Sequence, residues 1–298
     1  MDANAYTTPF MLTKSIKRDV YDAINPSKNT ELQASGKVVL ITGGGGGIGF
    51  ATAKAWDAAG AKGIILLGRT KAVLDKAVQD LKAKTKIIVV VADITVLTDV
   101  ESAFKQATEA FGHVDVVVNT SSTDSTGPIG GIAPAEWWKA FEVNVKGAFN
   151  VSHTFIASTG GKGTIINLTT LSASFLFPGT SAYSISKLAL IKLGEHLDTE
   201  HPDLRVFSVH PGVVEQQDGR GVLIEAFKPF AKDTPALTGS LTLWLSTQKA
   251  DFLKGGYIHS NWDVEELEQH KIEITEKKLV KLGFINGQLQ PGGYPWSS

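Results

Sequence analysis

Five consecutive glycines, Gly43 to Gly47, lie between an apolar segment and a segment with helical periodicity, and they constrain the fold more than any other feature. The apolar segment, Lys37–Thr42, is short and rich in β-branched residues, as buried strands are. In Ile48–Ala59, apolar residues recur at the spacing of one helix face. A glycine turn between a strand and a helix lets a pyrophosphate approach the backbone, and the N–H groups at the helix N-terminus stabilise its charge. This order predicts a dinucleotide site rather than a flexible linker.

The rest of the chain repeats this alternation of short apolar runs with longer helical patterns. Seven strands are predicted, at Lys37–Thr42, Gly63–Gly68, Lys86–Ala92, Val114–Asn119, Gly163–Leu168, Leu204–Val209 and Gly256–Ser260. Six helices are predicted, at Ile48–Ala59, Lys71–Lys82, Val100–Phe111, Ala135–Phe155, Tyr183–Glu200 and Ala236–Thr247. Repeated βα units form parallel sheets with helices on both faces. We therefore predict the α/β class and a three-layer, doubly wound Rossmann fold with a seven-stranded parallel sheet.

Residues 36–264 contain no internal repeat and no low-complexity linker, so they are predicted to form one Rossmann domain. Residues 1–35 form an N-terminal arm. Its apolar spacing predicts a weak helix with one apolar face, at Ile16, Val20 and Ile24. Residues 265–298 form a C-terminal extension. We expect both flanking segments to pack against the core or against a neighbouring subunit.

The composition excludes several classes of function. The chain has 29 Lys and Arg against 30 Asp and Glu, a formal net charge of -1, which provides no basic field for a nucleic acid or an anionic membrane. The absence of cysteine excludes disulfides and thiolate sites, and the histidines show no spacing typical of a metal site. The sequence has no signal-peptide pattern and no apolar run long enough for a membrane span. We therefore expect a cytoplasmic protein without a nucleic-acid or membrane partner.

The residues after the second predicted strand indicate which nicotinamide cofactor would bind. An acidic residue there bonds the ribose 2′-OH of NAD, whereas an arginine accommodates the additional phosphate of NADP. Arg69 and Lys71 follow the strand, and the next carboxylate along the chain is Asp75. We therefore predict NADP(H), the alternative being that both cations are only solvated. Asp93, after the third predicted strand, provides a carboxylate that could bind the adenine amine.

Tyr183 and Lys187 lie four residues apart at the start of a predicted helix, which places them on one helix face. A phenol has a pKa of about 10, too high to exchange protons readily at neutral pH, but a neighbouring ammonium stabilises the phenolate and lowers that pKa. Hydride transfer to a carbonyl leaves an alkoxide that needs a proton. The pair therefore indicates a general acid/base, although a half-buried tyrosine beside a solvated lysine gives the same spacing.

In this ordered set of motifs the chain resembles the short-chain dehydrogenase/reductase family: Thr42-Gly43-x-x-x-Gly47-Ile48-Gly49, Asp93, Asn144, Tyr183-x-x-x-Lys187 and Pro211-Gly212. Residues 21–26 and 260–264 further resemble a fungal branch of that family. The resemblance implies that Tyr183 is the general acid/base and that Lys187 lowers its pKa and holds the nicotinamide ribose. It also implies that Asn144 anchors a water chain and that Thr170 replaces the family's catalytic serine, with Ser172 as the alternative hydroxyl.

The same resemblance implies a cofactor site and an oligomer. The cofactor-binding residues would be Thr42, Gly43, Gly47, Ile48, Gly49, Arg69, Lys71, Asp93, Asn119, Lys187, Pro211, Gly212 and Val214. The oligomer would be a homodimer or a homotetramer, built on the helices predicted at Ala135–Phe155 and Tyr183–Glu200.

We predict an NADP(H)-dependent oxidoreductase that transfers a hydride between the nicotinamide and a carbonyl or alcohol of an apolar small molecule. The substrate would contact Val213–Asp233, whose apolar residues include Val222, Leu223, Ile224, Phe227 and Phe230. The sequence departs from the family pattern at Ser122, where a glycine is expected, and at Gln216, where a threonine is expected. Two alternatives therefore stay open: a non-redox isomerase, dehydratase or cyclase on the same scaffold, and a non-catalytic NADP-binding protein.

Overall fold

The computed structural model describes residues 2, 4–217, 220 and 225–283. The strands are β1 Val38–Thr42, β2 Gly63–Gly68, β3 Lys86–Val91, β4 Val116–Asn119, β5 Gly163–Leu168, β6 Leu204–His210 and β7 Gly256–His259. The α-helices are α1 Gly47–Ala58, α2 Lys71–Leu81, α3 Leu97–Phe111, α4 Pro134–Phe141, α5 Ala148–Thr159, α6 Ser181–Glu200, α7 Pro235–Leu245, α8 Val264–Gln269 and α9 Lys271–Glu276. The predicted strands are thus present, with small differences at their ends.

The strands form one parallel sheet in the order β3-β2-β1-β4-β5-β6-β7, which confirms the predicted doubly wound fold. Both faces of the sheet are covered, because alternate residues of β1 enter different hydrophobic clusters. Val39 and Ile41 pack in the cluster that includes α1 and α7 residues, whereas Val38 and Leu40 pack in the cluster of α3 and α5. Burial on both faces explains why the strands are almost continuously apolar.

The order of the strands places a crevice beside β1. The chain winds outward from β1 to β3 and then crosses back to β4 on the other side of β1. At such a switch point the connections after β1 and β4 diverge, and ligands bind beyond the carboxyl ends of the strands. Thr42 at the end of β1 pairs in register with Asn119 at the end of β4. The loops that follow these two residues therefore border the crevice.

The helix predicted at Ala135–Phe155 is interrupted. A π-helical turn, Glu142–Gly147, separates α4 from α5, so the helical path is continuous but its register changes. The wider turn contains Asn144, whose side chain is buried and points to the loop after β4. π-Turns of this kind occur frequently at functional sites, and apolar periodicity alone does not reveal them.

The weak helix predicted from Ile16 to Ile24 is wrong. The N-terminal segment instead contains short 3-10 turns, among them Thr8–Phe10 and Asp22–Ile24, joined by extended chain. Its bonding partners are spread along the domain: the Trp262 indole donates to the Phe10 carbonyl at 3.0 Å, and the Lys17 amide donates to the Asn261 carbonyl at 2.8 Å. An extended chain reaches these separate partners, whereas a helix would bond mainly to itself.

The segment after β7 also packs on the domain. Val264, Leu267, Ile274 and Val280 are buried in the same cluster as Ile24 of the N-terminal arm. Residues 284–298 of the predicted C-terminal extension lie outside the described residues. Within the described part of the chain, no helix has the length and apolarity to cross a membrane, and no group of three or more His, Asp or Glu is placed to hold a metal ion.

Candidate active site

A cavity of about 580 Å³ lies at the carboxyl ends of the strands, where the topology predicts a ligand site. At one end it is bordered by the glycine turn after β1, by Arg69 after β2 and by Asp93 after β3. At the other end it reaches Thr170 and Tyr183. One continuous cavity therefore joins the two groups of residues that the sequence analysis singled out.

The glycine turn is shaped so that its backbone meets the cavity. Gly43 has a φ of +65°, in the left-handed region, and a Cβ there would lie 2.9 Å from the Thr120 hydroxyl oxygen. A Cβ on Gly45 would lie 2.7 Å from a methyl carbon of Val73. Gly47, Ile48 and Gly49 open α1 and also line the cavity. A cradle of bare backbone at a helix N-terminus fits the phosphates of a dinucleotide.

Four predicted residues support the site from behind rather than line it. Thr42, Asn119, Asn144 and Lys187 are all buried. The Thr42 hydroxyl accepts a hydrogen bond from the Ser121 amide at 3.2 Å, and the Asn119 amide group donates to the Asn167 side-chain oxygen at 2.9 Å. The first bond holds the loop after β4 against the end of β1, and the second joins the ends of β4 and β5.

The two cations predicted to bind the NADP phosphate are placed differently. Arg69 lines the cavity at its glycine end. Lys71 begins α2 and forms an exposed ion pair with Asp75, one turn along the helix, at 2.6 Å. Lys71 is not among the described residues that border the cavity. Of the two predicted cations, the structure therefore brings Arg69, but not Lys71, to the cavity.

Tyr183 and Lys187 lie one turn apart on α6, with the lysine nitrogen 5.8 Å from the centre of the tyrosine ring. The Lys187 ammonium is buried and donates to the Leu168 carbonyl at 2.7 Å. Burial lowers the pKa of Lys187 to about 7. Burial also raises the pKa of Tyr183 to about 12; the charge of Asp124 adds to this rise, while the Thr170 and Ser122 hydroxyls oppose it.

The predicted lowering of the Tyr183 pKa by Lys187 is therefore absent from this structure. The physical reason is that desolvation acts on both groups and favours the neutral form of each. A lysine with a pKa near 7 carries only part of its charge at neutral pH, which weakens its effect on the phenol. In this arrangement Tyr183 is a protonated phenol at neutral pH.

Thr170 lies two residues after β5 and caps a short 3-10 turn, Leu171–Ala173. Its hydroxyl lies 3.2 Å from the Ser172 hydroxyl, and both residues line the cavity, so the structure keeps both predicted alternatives close to Tyr183. The turn is held from below, because the Leu171 amide donates to the His210 ring nitrogen Nδ1 at 3.0 Å. The neighbouring Thr169 hydroxyl is buried at the cavity without a hydrogen-bond partner, which suits a polar group of a bound ligand.

The Asn144 side chain joins the loop after β4 to α6. Its oxygen accepts from the Thr123 amide at 2.9 Å and from the Ser122 hydroxyl at 3.2 Å. Its nitrogen donates to the Ser186 hydroxyl at 3.0 Å. Ser122, where the family pattern has glycine, therefore takes part in a hydrogen-bonded network beside Tyr183.

The substrate end of the cavity is formed by residues that are distant in the sequence. Pro211, Gly212, Val214 and Gln216 line it from the segment after β6, whereas the predicted contacts Val222, Leu223 and Ile224 lie outside the described residues. Phe227 lines the cavity, and Phe230 is buried behind it. The lining residues that the sequence analysis missed include Tyr6, Asp124, Phe175 and Phe177. Phe175 and Phe177, on either side of Leu176, form an aromatic pair that could have been recognised in the sequence, whereas nothing in the sequence around Tyr6 indicates a site.

Comparisons with known proteins identify the family of this chain. A family model described as short chain dehydrogenase matches residues 37–221. The short chain dehydrogenase pigC of Monascus ruber is 33% identical over 289 residues, covering 92% of this chain and 94% of the relative. The short chain dehydrogenase mpl6 of Monascus purpureus is 31% identical over 278 residues, covering 90% of this chain and 94% of the relative.

Solved structures show the same fold. A dehydrogenase/reductase from Sinorhizobium meliloti superposes with a TM-score of 0.71 at 25% identity, covering 77% of this chain and 95% of that chain. A short-chain type dehydrogenase/reductase from Mycobacterium ulcerans gives a TM-score of 0.69 at 25% identity, covering 75% and 87%. The cavity and the matches together define a nicotinamide-dependent oxidoreductase that acts on a small molecule. The chain belongs to the short chain dehydrogenase family, and its fungal relatives confirm the predicted fungal branch.

Proposed function

We propose that the protein is an NADP(H)-dependent oxidoreductase that reduces a carbonyl group of an apolar small molecule, with Tyr183 as the general acid. One observation carries the proposal: a single cavity extends from the glycine turn and Arg69 to the Thr170 and Tyr183 hydroxyls. This cavity offers a phosphate cradle to the cofactor and a proton donor to a substrate bound beside it.

Arg69 supports NADP(H) over NAD(H). It follows β2 directly and borders the cavity, and no acidic residue stands beside it at the end of that strand. A guanidinium binds a phosphate through two parallel N–H donors and stays charged at any ordinary pH. An acidic residue at this position would instead suit the two ribose hydroxyls of NAD.

The ionisation of the site supports reduction. When the cofactor is bound, its nicotinamide supplies the hydride, and negative charge develops on the carbonyl oxygen of the substrate. The Tyr183 phenol, with a pKa raised to about 12, is protonated at neutral pH and can donate its proton to that oxygen. The Thr170 hydroxyl can hydrogen-bond to the same oxygen, and Lys187 lies behind the phenol. The non-redox alternative would use the hydroxyls but leave the cofactor cradle without a use, and the non-catalytic alternative would leave the hydroxyls without a use.

A calorimetric titration with NADPH and with NADH tests the cofactor preference. We expect NADPH to bind at least about tenfold more tightly than NADH, and Arg69→Glu to weaken NADPH binding by about tenfold or more while NADH binding changes little. Lys71→Glu is the matched control, because Lys71 is exposed, pairs with Asp75 and does not line the cavity; this substitution should weaken NADPH binding by less than about threefold. Equal loss of both cofactors in Arg69→Glu would contradict the proposed phosphate contact.

A homodimer or homotetramer is part of the same proposal. Phe149 on α5 and Ile185 and Leu188 on α6 expose large apolar side chains to solvent. Large apolar side chains exposed on a helix are typical of a subunit contact. The predicted cytoplasmic location stays a prediction.

A further inference from the structure

The N-terminal arm contributes an aromatic ring to the catalytic end of the cavity. Tyr6 lines the cavity together with Phe175, Phe177 and Phe227. The Tyr6 ring stacks near Phe175, with 6.1 Å between ring centres, and meets Phe227 edge-on at 5.2 Å. Phe177 lies 5.4 Å from Phe227. These four residues, which we call the aromatic wall, come from three separate parts of the chain.

Further contacts hold the wall from behind. The buried Phe230 meets the Tyr6 ring edge-on at 4.7 Å, and Phe10 stacks near Phe175 at 5.8 Å. Thr7, the neighbour of Tyr6, is itself buried. The wall is therefore backed by packed side chains rather than by solvent, which fixes the planes of its rings.

Arg18 ties the arm to the segment that carries the substrate residues. Its guanidinium donates to the Asp233 carboxylate at 2.7 Å, to the Thr7 hydroxyl at 3.1 Å and to the Asn4 side-chain oxygen at 2.6 Å. These bonds fix the chain on both sides of Tyr6. The Arg18 carbonyl also accepts a hydrogen bond from the Thr234 amide at 2.9 Å.

The other end of this connection reaches the segment after β6, which lines the substrate end of the cavity. Asp233 is fully buried, and its second oxygen accepts from the Val213 amide at 2.7 Å, next to the cavity residue Gly212. The Asn261 amide group donates to Asp233 at 2.7 Å. The arm and the segment after β6 are thus held by one carboxylate, and they form one structural unit around the substrate end.

We propose that the arm completes the substrate site and that the aromatic wall selects a flat aromatic carbonyl compound. This proposal rests on the proposed function, since it names the substrate class of the same site. Aromatic rings gain energy from stacked and edge-on contacts with other rings, beyond what their buried area provides, at the centre-to-centre spacings found here. A saturated ring of equal carbon number is puckered and has no π face, so it loses these contacts. The Tyr183 and Thr170 hydroxyls at the same end of the cavity would meet the carbonyl oxygen.

Equilibrium binding of two matched ketones tests this inference without turnover. The probes are 2-acetylnaphthalene and its ring-saturated counterpart, titrated into the whole protein with saturating NADP⁺, which has no hydride to give. We expect the aromatic ketone to bind about tenfold more tightly than the saturated one. Tyr6→Leu should remove most of this preference, whereas Tyr6→Phe, which keeps the ring, should stay within about twofold of the unmodified protein.

Phe252→Leu is the control, because it removes an aromatic ring that packs near Trp244, outside the cavity lining; it should leave the preference unchanged. Melting temperatures of the Tyr6 variants show that they are folded. Equal binding of the two ketones, no binding of either, or an unchanged preference in Tyr6→Leu would each overturn the aromatic wall. Selective binding of the aromatic ketone without its reduction by NADPH would support the wall and overturn the proposed reduction.

Discussion

The two ends of the cavity are built in different ways. The cofactor end comes largely from one continuous stretch, in which β1, the glycine turn and α1 follow one another, with Arg69 added from the end of β2. The substrate end is assembled from an N-terminal tyrosine, the turn after β5 and the segment after β6. The first end is specified by local sequence, and the second depends on tertiary contacts.

The difference also concerns what fixes each end. Backbone conformation fixes the cofactor end, as the positive φ of Gly43 and the closed space around Gly45 show. Side-chain contacts fix the substrate end, chiefly the pair of Arg18 with the buried Asp233 and the rings of the aromatic wall. We therefore expect the cofactor end to tolerate few substitutions within its turn, while the substrate end can vary by exchange of single side chains.

Tyr183 lies at the substrate end of the cavity, and loss of its hydroxyl should affect the chemical step without disturbing cofactor binding. We expect Tyr183→Phe to lower kcat for carbonyl reduction by about a thousandfold, because the general acid is lost. The affinity for NADPH should change by less than about twofold. Steady-state kinetics and calorimetric titration measure the two quantities.

The matched control is Tyr257→Phe. The Tyr257 hydroxyl donates to the Thr170 carbonyl at 3.2 Å, behind the cavity, so its loss should lower kcat only a few-fold. If Tyr183→Phe kept more than about a tenth of the original kcat, Tyr183 would not be the general acid.

Sequence reasoning predicted the cofactor end because its determinants are local. Strand periodicity, the glycine turn and the position of Arg69 all lie within about thirty residues. The same logic placed Lys71 at the phosphate, but it could not show that the α2 geometry would pair Lys71 with Asp75 instead. Composition and periodicity do not indicate the order of the strands in the sheet, although repeated βα units restrict that order to a few arrangements.

The substrate end could not be predicted because distant contacts determine it. The residues around Tyr6 form no pattern that indicates a binding site. The arm that carries Tyr6 is held at the cavity by the hydrogen bond from Arg18 to Asp233, which is distant in the sequence. The high pKa of Tyr183 likewise depends on burial, which the spacing to Lys187 does not reveal. The π-helical turn at Asn144 could not be predicted either, because this change of helical register leaves the apolar pattern of the sequence nearly intact.

Loss of the Arg18–Asp233 ion pair should reduce substrate binding far more than cofactor binding. Arg18→Met leaves a buried carboxylate without its cation, and we expect it to lower the free energy of unfolding by about 3 kcal/mol. Binding of an aromatic ketone should fall more than binding of NADPH. Urea unfolding and calorimetry measure these effects.

Two comparisons isolate the pair. Lys17→Met removes the neighbouring and more exposed ion pair with Asp263. It should lower the free energy of unfolding by only about 1 kcal/mol or less. Combining Arg18→Met with Asp233→Asn should restore part of the stability, because the unpaired buried charge is also removed. Simple additivity of the two substitutions would show that the side chains do not act as a pair.

Acid should affect the substrate end through His259, which lies beneath it. The His259 ring stacks on Trp262 at 4.5 Å, and burial lowers its pKa to about 3. An unfolded histidine binds a proton below about pH 6.5 while the folded one does not, so stability falls as the pH decreases below that value. The free energy of unfolding, measured with urea, should fall between about pH 7 and pH 5 in both proteins. We expect this fall to be about 2 kcal/mol smaller in His259→Phe than in the unmodified protein. Equal losses in the two proteins would show that His259 does not cause this acid sensitivity.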